Sequence, residues 1–364
     1  MRLLSGGKVR TTDEAPAHTG TDTTAQPSRR PRTLLAMASG LLDEVFPAPA
    51  RALLEETADL QAPAPVGEFA SPGAREALAR CEVLLTGWGC PPVDASVLER
   101  APALRAVVHA AGTVKTFLTP AVFERGIVVS SAAAANSVPV AEFTLAAVIM
   151  GAKRAFPLAR LFRDRRTHRT AADLGRQHWL GTNGLRVGVV GGSRTGRRVI
   201  ELLGALDVDI TLYDPYVTDA EARSLGVTRV ELDALLATSD VVTLHAPQTP
   251  ATRHLLDARR IGLMRPGTLL VNTARGALVD TEALTEHLVR GRIDAVLDVT
   301  EPEPLPAHHP LWDLPNVLIT PHLAGAQGNE TARLGTQAVE ELARFARGEP
   351  FAHPVLAAEL ERLA

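Results

Sequence analysis

The sequence predicts an α/β protein built from two doubly wound parallel sheets, and three observations carry this reading. Short apolar runs alternate with helical stretches from Thr33 onward, the pattern of strands buried on both faces by crossover helices. The 364 residues exceed what one core usually holds, so two domains are expected. A glycine-containing turn near residue 191 then opens a second, complete series of strands. Composition agrees, with 46% hydrophobic and 22% charged residues. A net charge of -3 supplies no global field for nucleic acid or an acidic membrane, so neither is expected as a partner. Cys81 and Cys90 are too few for a disulfide framework or a zinc site, which fits a reducing cytoplasm.

Taken in order, residues 1–32 are polar and rich in Thr, Pro, Gly and Ala, and read as a disordered tail with no signal-peptide core. Strands are predicted at 33–39, 82–87, 104–111 and 127–131. Helices fall between them, one opening on Asp94 as N-cap. The most apolar segment starts at Val138, carries Glu142 and is too short to span a bilayer, so it reads as a buried helix. A basic stretch follows, from Lys153 to Arg176. With only Phe156 and Phe162 as aromatics, it reads as a solvated arm or a subunit contact. Six strands come next, at "RVGVV", 209–214, 241–246, 268–274, 294–299 and 316–320. The tail after Leu323 is helical and too short to be a domain, so it packs back on one of the two.

The stretch "RVGVVGGSRTGRRVIELL" reads as strand, turn and helix, the layout that binds a dinucleotide pyrophosphate. Gly191 makes the tight turn and Gly196 lets the helix pack on the sheet, but Ser193 stands where the second glycine belongs. Serine is small, and its hydroxyl can donate to a phosphate oxygen. Asp214 ends the next strand, about 20 residues on, where an acid binds the ribose hydroxyls. Pro215 and Tyr216 follow it with no arginine for a 2′-phosphate, so NAD is preferred over NADP.

Three further stretches follow predicted strands, on the carboxyl edge where open α/β sheets bind ligands: "VNTARGALVD", "AVLDVTEPEPLP" and "NVLITPHLAGA". They bring Arg275, Asp298, Glu303 and His322. Hydride transfer to a 2-oxo acid needs a fixed cation, a role that suits the arginine fork. It also needs a proton donor for the nascent alkoxide, a role that suits histidine with a carboxylate behind it.

Through these motifs the sequence resembles the D-isomer-specific 2-hydroxyacid dehydrogenase family from about Glu82 to Arg347. The resemblance implies a Rossmann cofactor domain (136–323) inserted into a flavodoxin-like substrate domain (33–135 and 324–364). It gives Arg275 to the substrate, makes His322 the general acid/base with Glu303 as its partner, and sets Asp298 against the nicotinamide carboxamide. Arg194 and Thr195 fall on the pyrophosphate, and Ala246, Thr273, Ala274 and Gly325 complete the cofactor contacts, which also include Arg275 and His322. The backbone amides of Ala111 and Gly112 would receive the substrate carboxylate, although "HAAGTVKTF" departs from the family's usual turn here. The expected protein is a homodimer, joined by a helical arm and acting on a 2-hydroxy or 2-oxo acid with NAD. The alternative is an NAD(H)-sensing binding protein of the same fold.

Other residues take plainer readings. Trp88, in "TGWGCPP", faces the same cleft and closes over an apolar substrate tail. His245 orders a strand end. His308 and His309 lie in a surface loop, and no metal is expected. Trp179 and Trp312 pack, with Trp179 a cleft contact in one reading, and Cys90 is reactive only beside a cation.

Overall fold

The computed structural model describes residues 29–174 and 180–362. Most of the expected N-terminal tail, and Trp179, lie outside the described residues. Residues 29–32 are a correction to that expectation, because they are fastened to the first sheet. Arg29 and Arg32 pair with Glu82 at 2.6 and 3.3 Å, and Arg32 begins the first strand.

The first sheet comprises β1 (Arg32–Ala36), β2 (Asp59–Leu60), β3 (Val83–Thr86), β4 (Ala106–His109) and β5 (Val128–Ser131). All pairings are parallel and the order is β2-β1-β3-β4-β5, the flavodoxin order. The strands β3 and β4 are buried at every position, which explains why they read as continuous apolar runs. Asp94 does cap its helix, accepting from the Val97 amide at 3.0 Å.

The second sheet comprises β6 (Leu185–Val190), β7 (Val208–Tyr213), β8 (Thr228–Arg229), β9 (Val241–Leu244), β10 (Leu269–Asn272), β11 (Asp294–Leu297) and β12 (Val317–Ile319). Read from β8, the order is β8-β7-β6-β9-β10-β11-β12. This is the Rossmann order with a seventh strand, and its switch point lies between β6 and β9. The sequence predicts neither β2 nor β8. Each is only two residues long, Asp-Leu and Thr-Arg, and pairs along one edge only, so no apolar run announces it.

Two helices join the halves. Helix Ala133–Ala152 leaves the first sheet and puts Ala141, Ala147, Val148 and Ala152 into the core with β6, β10 and β11. It is long and apolar enough to cross a membrane by length and composition. Here, however, it lies against helix Arg194–Leu203 and the sheet. Helix Thr331–Ala346 returns the chain to the first sheet, burying Leu334, Ala338, Val339 and Leu342. Each leucine buried there is worth roughly 1.5–3 kcal/mol. Its three buried polar side chains are satisfied, Thr331 Oγ1 by the Glu44 and Gly328 carbonyls at 2.7 and 2.6 Å. Glu341 accepts from Ser130 Oγ at 2.9 Å and the Ala352 amide at 3.0 Å. Gln337 accepts from the Ala135 amide and donates to the Ser131 carbonyl, both at 3.0 Å.

The basic stretch contains helix Ala155–Arg165, which buries no side chain. Arg154 reaches Asp294 at 3.2 Å and Arg165 reaches Asp173 at 2.7 Å, so part of its charge is neutralised within the chain.

Candidate active site

The carboxyl ends of both sheets face one cleft. An inner cavity of about 90 Å³ is lined by Gly112, Asn136, Thr195, Ala246, Thr273, Ala274 and Arg275, among others. It continues into an outer cavity of about 480 Å³, where Arg275 and His322 meet Trp88, Gly325 and Thr331. Gly112, Thr113, Asn136 and Arg275 line both.

The glycine turn is closely packed against the chain's own backbone. Gly191 has φ +103, and a Cβ there would meet the backbone of His245 and Ala246. A Cβ on Gly196 would strike the Gly191 carbonyl. Ser193 needs no such freedom, because its φ of -62 is ordinary. It is the N-cap of helix Arg194–Leu203, its Oγ accepting from the Gly196 amide at 3.2 Å. Serine thus replaces glycine by doing a capping residue's work, and its hydroxyl proton stays available to an anion. Arg194 is exposed at the first turn of that helix, where a phosphate gains from both the cation and the helix end. Asp214 accepts from the Gly192 and Tyr216 amides, each at 2.7 Å, which fixes its carboxylate beside the turn. One cation does approach: Arg197 donates to the Gly192 carbonyl at 2.9 Å and lies 3.5 Å from Glu221. The residues present therefore fit a dinucleotide with free ribose hydroxyls.

His322 has φ +53, a left-handed conformation uncommon outside glycine. Several bonds hold it there. Its amide donates to the carbonyls of Asp298 and Thr320 at 3.0 Å. The buried Asp298 carboxylate accepts from Thr320 Oγ1, the Leu323 amide and the Ala324 amide at 2.6, 2.8 and 3.0 Å. Asp298 therefore organises the loop that carries the histidine, a role that sequence reasoning did not assign to it. His322 Nδ1 lies 2.7 Å from Glu303 Oε1. The two side chains are 51% and 43% exposed. Such a pair adds little stability, and what it fixes is the orientation of the ring.

Arg275 reaches the same place through Gly276, where a Cβ would collide with the Thr300 carbonyl. That contact presses the "NTARG" turn against the segment leading to Glu303. Burial pushes the Arg275 guanidinium below its usual range, opposed by the charge of Glu303, yet an arginine remains a cation.

The turn "HAAG" is anchored by His109, whose Nδ1 lies 2.9 Å from Thr86 Oγ1 and whose ring stacks at a tilt on Phe117. Burial pushes His109 down to about 3, so it is neutral. Gly112 lines the cleft, while Ala111 is wholly buried behind it. His245 is also buried and pushed down to about 3, with Nε2 2.9 Å from Thr243 Oγ1. That suits a strand-end residue and not a proton donor. His309 caps a short turn, and Cys90 is raised to about 12 by burial. Asn136 was missed as a site residue. It lines both cavities, and its Oδ1 accepts from the Ala326 amide at 3.0 Å. A single asparagine opening an apolar helix carries no sequence signal of this.

Fold and cleft together define a two-domain dinucleotide-binding protein. Residues 145–324 match the model of the D-isomer specific 2-hydroxyacid dehydrogenase NAD binding domain. The chain is 34% identical to a glyoxylate reductase of Korarchaeum cryptofilum, over 71% of this chain and 78% of that one. It is 35% identical to a D-3-phosphoglycerate dehydrogenase of Mycobacterium tuberculosis, over 71% of this chain and 48% of that one. The chain thus spans about half the length of the phosphoglycerate dehydrogenases it matches. A solved phosphoglycerate oxidoreductase from Rhizobium etli superposes with a TM-score of 0.75 at 25% identity, covering 90% of this chain and 98% of that one. The chain belongs to the D-isomer specific 2-hydroxyacid dehydrogenase family, and its cofactor domain is an NAD-binding domain.

Proposed function

We propose that the protein interconverts a 2-hydroxy acid and its 2-oxo acid with NAD(H), and that residues 33–135 with 324–364 hold the substrate while 136–323 hold the cofactor. One observation carries the reading: Arg275 and the His322–Glu303 pair meet in a single cleft that runs on to Thr195, beside the glycine turn.

Bound NADH supplies the hydride. Arg275 takes the substrate carboxylate and polarises the carbonyl, and the amide of Gly112 adds a donor. Ala111 is a weaker candidate because it lies behind the lining. His322 holds its proton on Nε2 for the nascent alkoxide, since Nδ1 is engaged by Glu303. In the reverse direction the same nitrogen takes the proton back. Asp298 retains room for one more donor, such as a carboxamide, beside the three it already accepts. Ser193, Arg194 and Thr195 receive the pyrophosphate and Asp214 the ribose hydroxyls, with Gly191 and Gly196 shaping the turn beneath the cofactor. Ala246, Thr273, Ala274 and Gly325 complete the cofactor contacts. The protein works in the cytoplasm, a setting supported by the free Cys81 and Cys90. It is a homodimer, a reading supported by helix Ala155–Arg165 with no buried side chain and Phe162 56% exposed. The experiment is NADH oxidation with glyoxylate, pyruvate and longer 2-oxo acids, alongside NADH binding. Tight NADH binding with no turnover on any acid would favour the sensing protein instead.

A further inference from the structure

The outer cavity holds more than the reacting atoms require. Besides Arg275 and His322, its lining includes Leu41, Glu44 and Trp88. These three stand on fixed backbone. The Glu44 carbonyl accepts from Thr331 Oγ1 at 2.7 Å, and the next carbonyl, Val45, lies where a Cβ on Gly335 would be. The Trp88 carbonyl accepts from the Ala38 amide at 2.9 Å, so the tryptophan and the segment carrying Leu41 are tied together.

The charges in this lining are unequal. Arg275 is its only lysine or arginine among the described residues, and the proposed reaction assigns it to the substrate's own carboxylate. Lys115 lies in the neighbouring turn but is not part of the lining. Glu44 makes no ion pair among the described residues. A second anionic group on the substrate would therefore enter a half-enclosed cleft beside a carboxylate, with no second guanidinium or ammonium to meet it. Desolvation and like-charge repulsion both oppose that. An apolar chain meets Trp88 and Leu41 instead, and aromatic surface of this kind rewards burial.

We infer that the substrate is a 2-oxo acid whose only charge is its carboxylate and whose side chain is apolar, and that Glu44 excludes phosphorylated and dicarboxylic acids. This rests on the dehydrogenase reading above. It also sets the chain apart from the phosphoglycerate dehydrogenases to which it is similar.

The test is a comparison of kcat/KM with NADH for 4-methyl-2-oxopentanoate, glyoxylate, 3-phosphohydroxypyruvate and 2-oxoglutarate on the full chain. The apolar acid should exceed the two acids that carry a second anionic group by at least ~10²-fold, a discrimination that a pocket with unmatched charge can provide. Glu44→Lys should narrow that ratio by ~10-fold or more, and Glu44→Gln should narrow it less, in the same direction. Trp88→Ala should lower kcat/KM for 4-methyl-2-oxopentanoate more than for glyoxylate. A wild type that prefers 3-phosphohydroxypyruvate or 2-oxoglutarate overturns the substrate class and leaves the dehydrogenase reading standing. Unchanged ratios in both Glu44 variants overturn the role of Glu44. A protein that oxidises NADH with none of the four refutes the dehydrogenase reading and this inference with it.

Discussion

The proposed proton transfer is concentrated in His322. The ring is half exposed and its Nδ1 lies 2.7 Å from Glu303 Oε1, a contact that fixes how the ring is turned. In the proposed reaction, reduction takes a proton from this ring and oxidation returns one to it. His322→Ala should lose roughly 10²–10⁴ in kcat, the usual worth of a positioned acid–base group. Its NADH affinity should stay within a few-fold. Glu303→Gln should lose less, because the ring stays in place as a proton donor and loses only the carboxylate that orients it. A His322→Ala enzyme with near-wild-type kcat would place the proton elsewhere. Two other histidines act on stability. His109 and His245 are held down to about 3 by burial, from an ordinary value of 6.5. Below pH 6.5 the unfolded chain binds protons that the folded chain refuses. Stability contributed by the neutral rings is complete above that pH and is lost as pH falls toward about 3. The loss approaches ~1.4 kcal/mol per pH unit for each histidine. Denaturant titrations at pH 7, 6 and 5 should show stability falling, and equal values would contradict the burial of the two rings.

Among the elements, the glycine turn answers the question raised by its serine. A serine N-cap replaced by glycine costs only a few tenths of a kcal/mol, so Ser193→Gly should leave NADH affinity within a few-fold. Asp214→Ala removes the acceptor of the Gly192 and Tyr216 amides as well as the proposed ribose contact. It should weaken NADH clearly, and equal dissociation constants would sink the assignment. NADH should outperform NADPH by at least ~10-fold, about 1.4 kcal/mol. Arg197 is the residue to suspect if it does not, since it already reaches the carbonyl of Gly192. Much of this level was legible in the sequence. Strands buried on both faces announce themselves as apolar runs, and Arg275, Glu303 and His322 each follow one of them in a short motif. The short edge strands β2 and β8 were not legible, and neither was the work of Asn136, Glu44 and Asp298. These residues are placed by partners far along the chain, the Asn136 and Asp298 side chains by Ala326 and Ala324 and the Glu44 backbone by Thr331, which no local pattern brings together.

At the scale of the molecule, the two sheets share one cleft and the chain passes between them twice, near Asn136 and near Leu323. Closure on the ligands would exclude water from the hydride path. Small-angle scattering with NADH and an unreactive oxo-acid analogue should show compaction, and identical curves at saturation would mean a rigid cleft. The bond from the Ala326 amide to Asn136 lays the two passages side by side. Two strips of backbone fastened along a short line, by this bond and by those of Gln337 to Ala135 and Ser131, behave like a door hung on a single post, free to swing about that line and resistant to sliding or shearing. Opening would then change the angle between the walls while leaving Gly112 and Gly325, both beside the post, nearly where they were. The carboxylate end of a substrate would be seated before the door shuts, and the proton-donating wall would arrive afterwards.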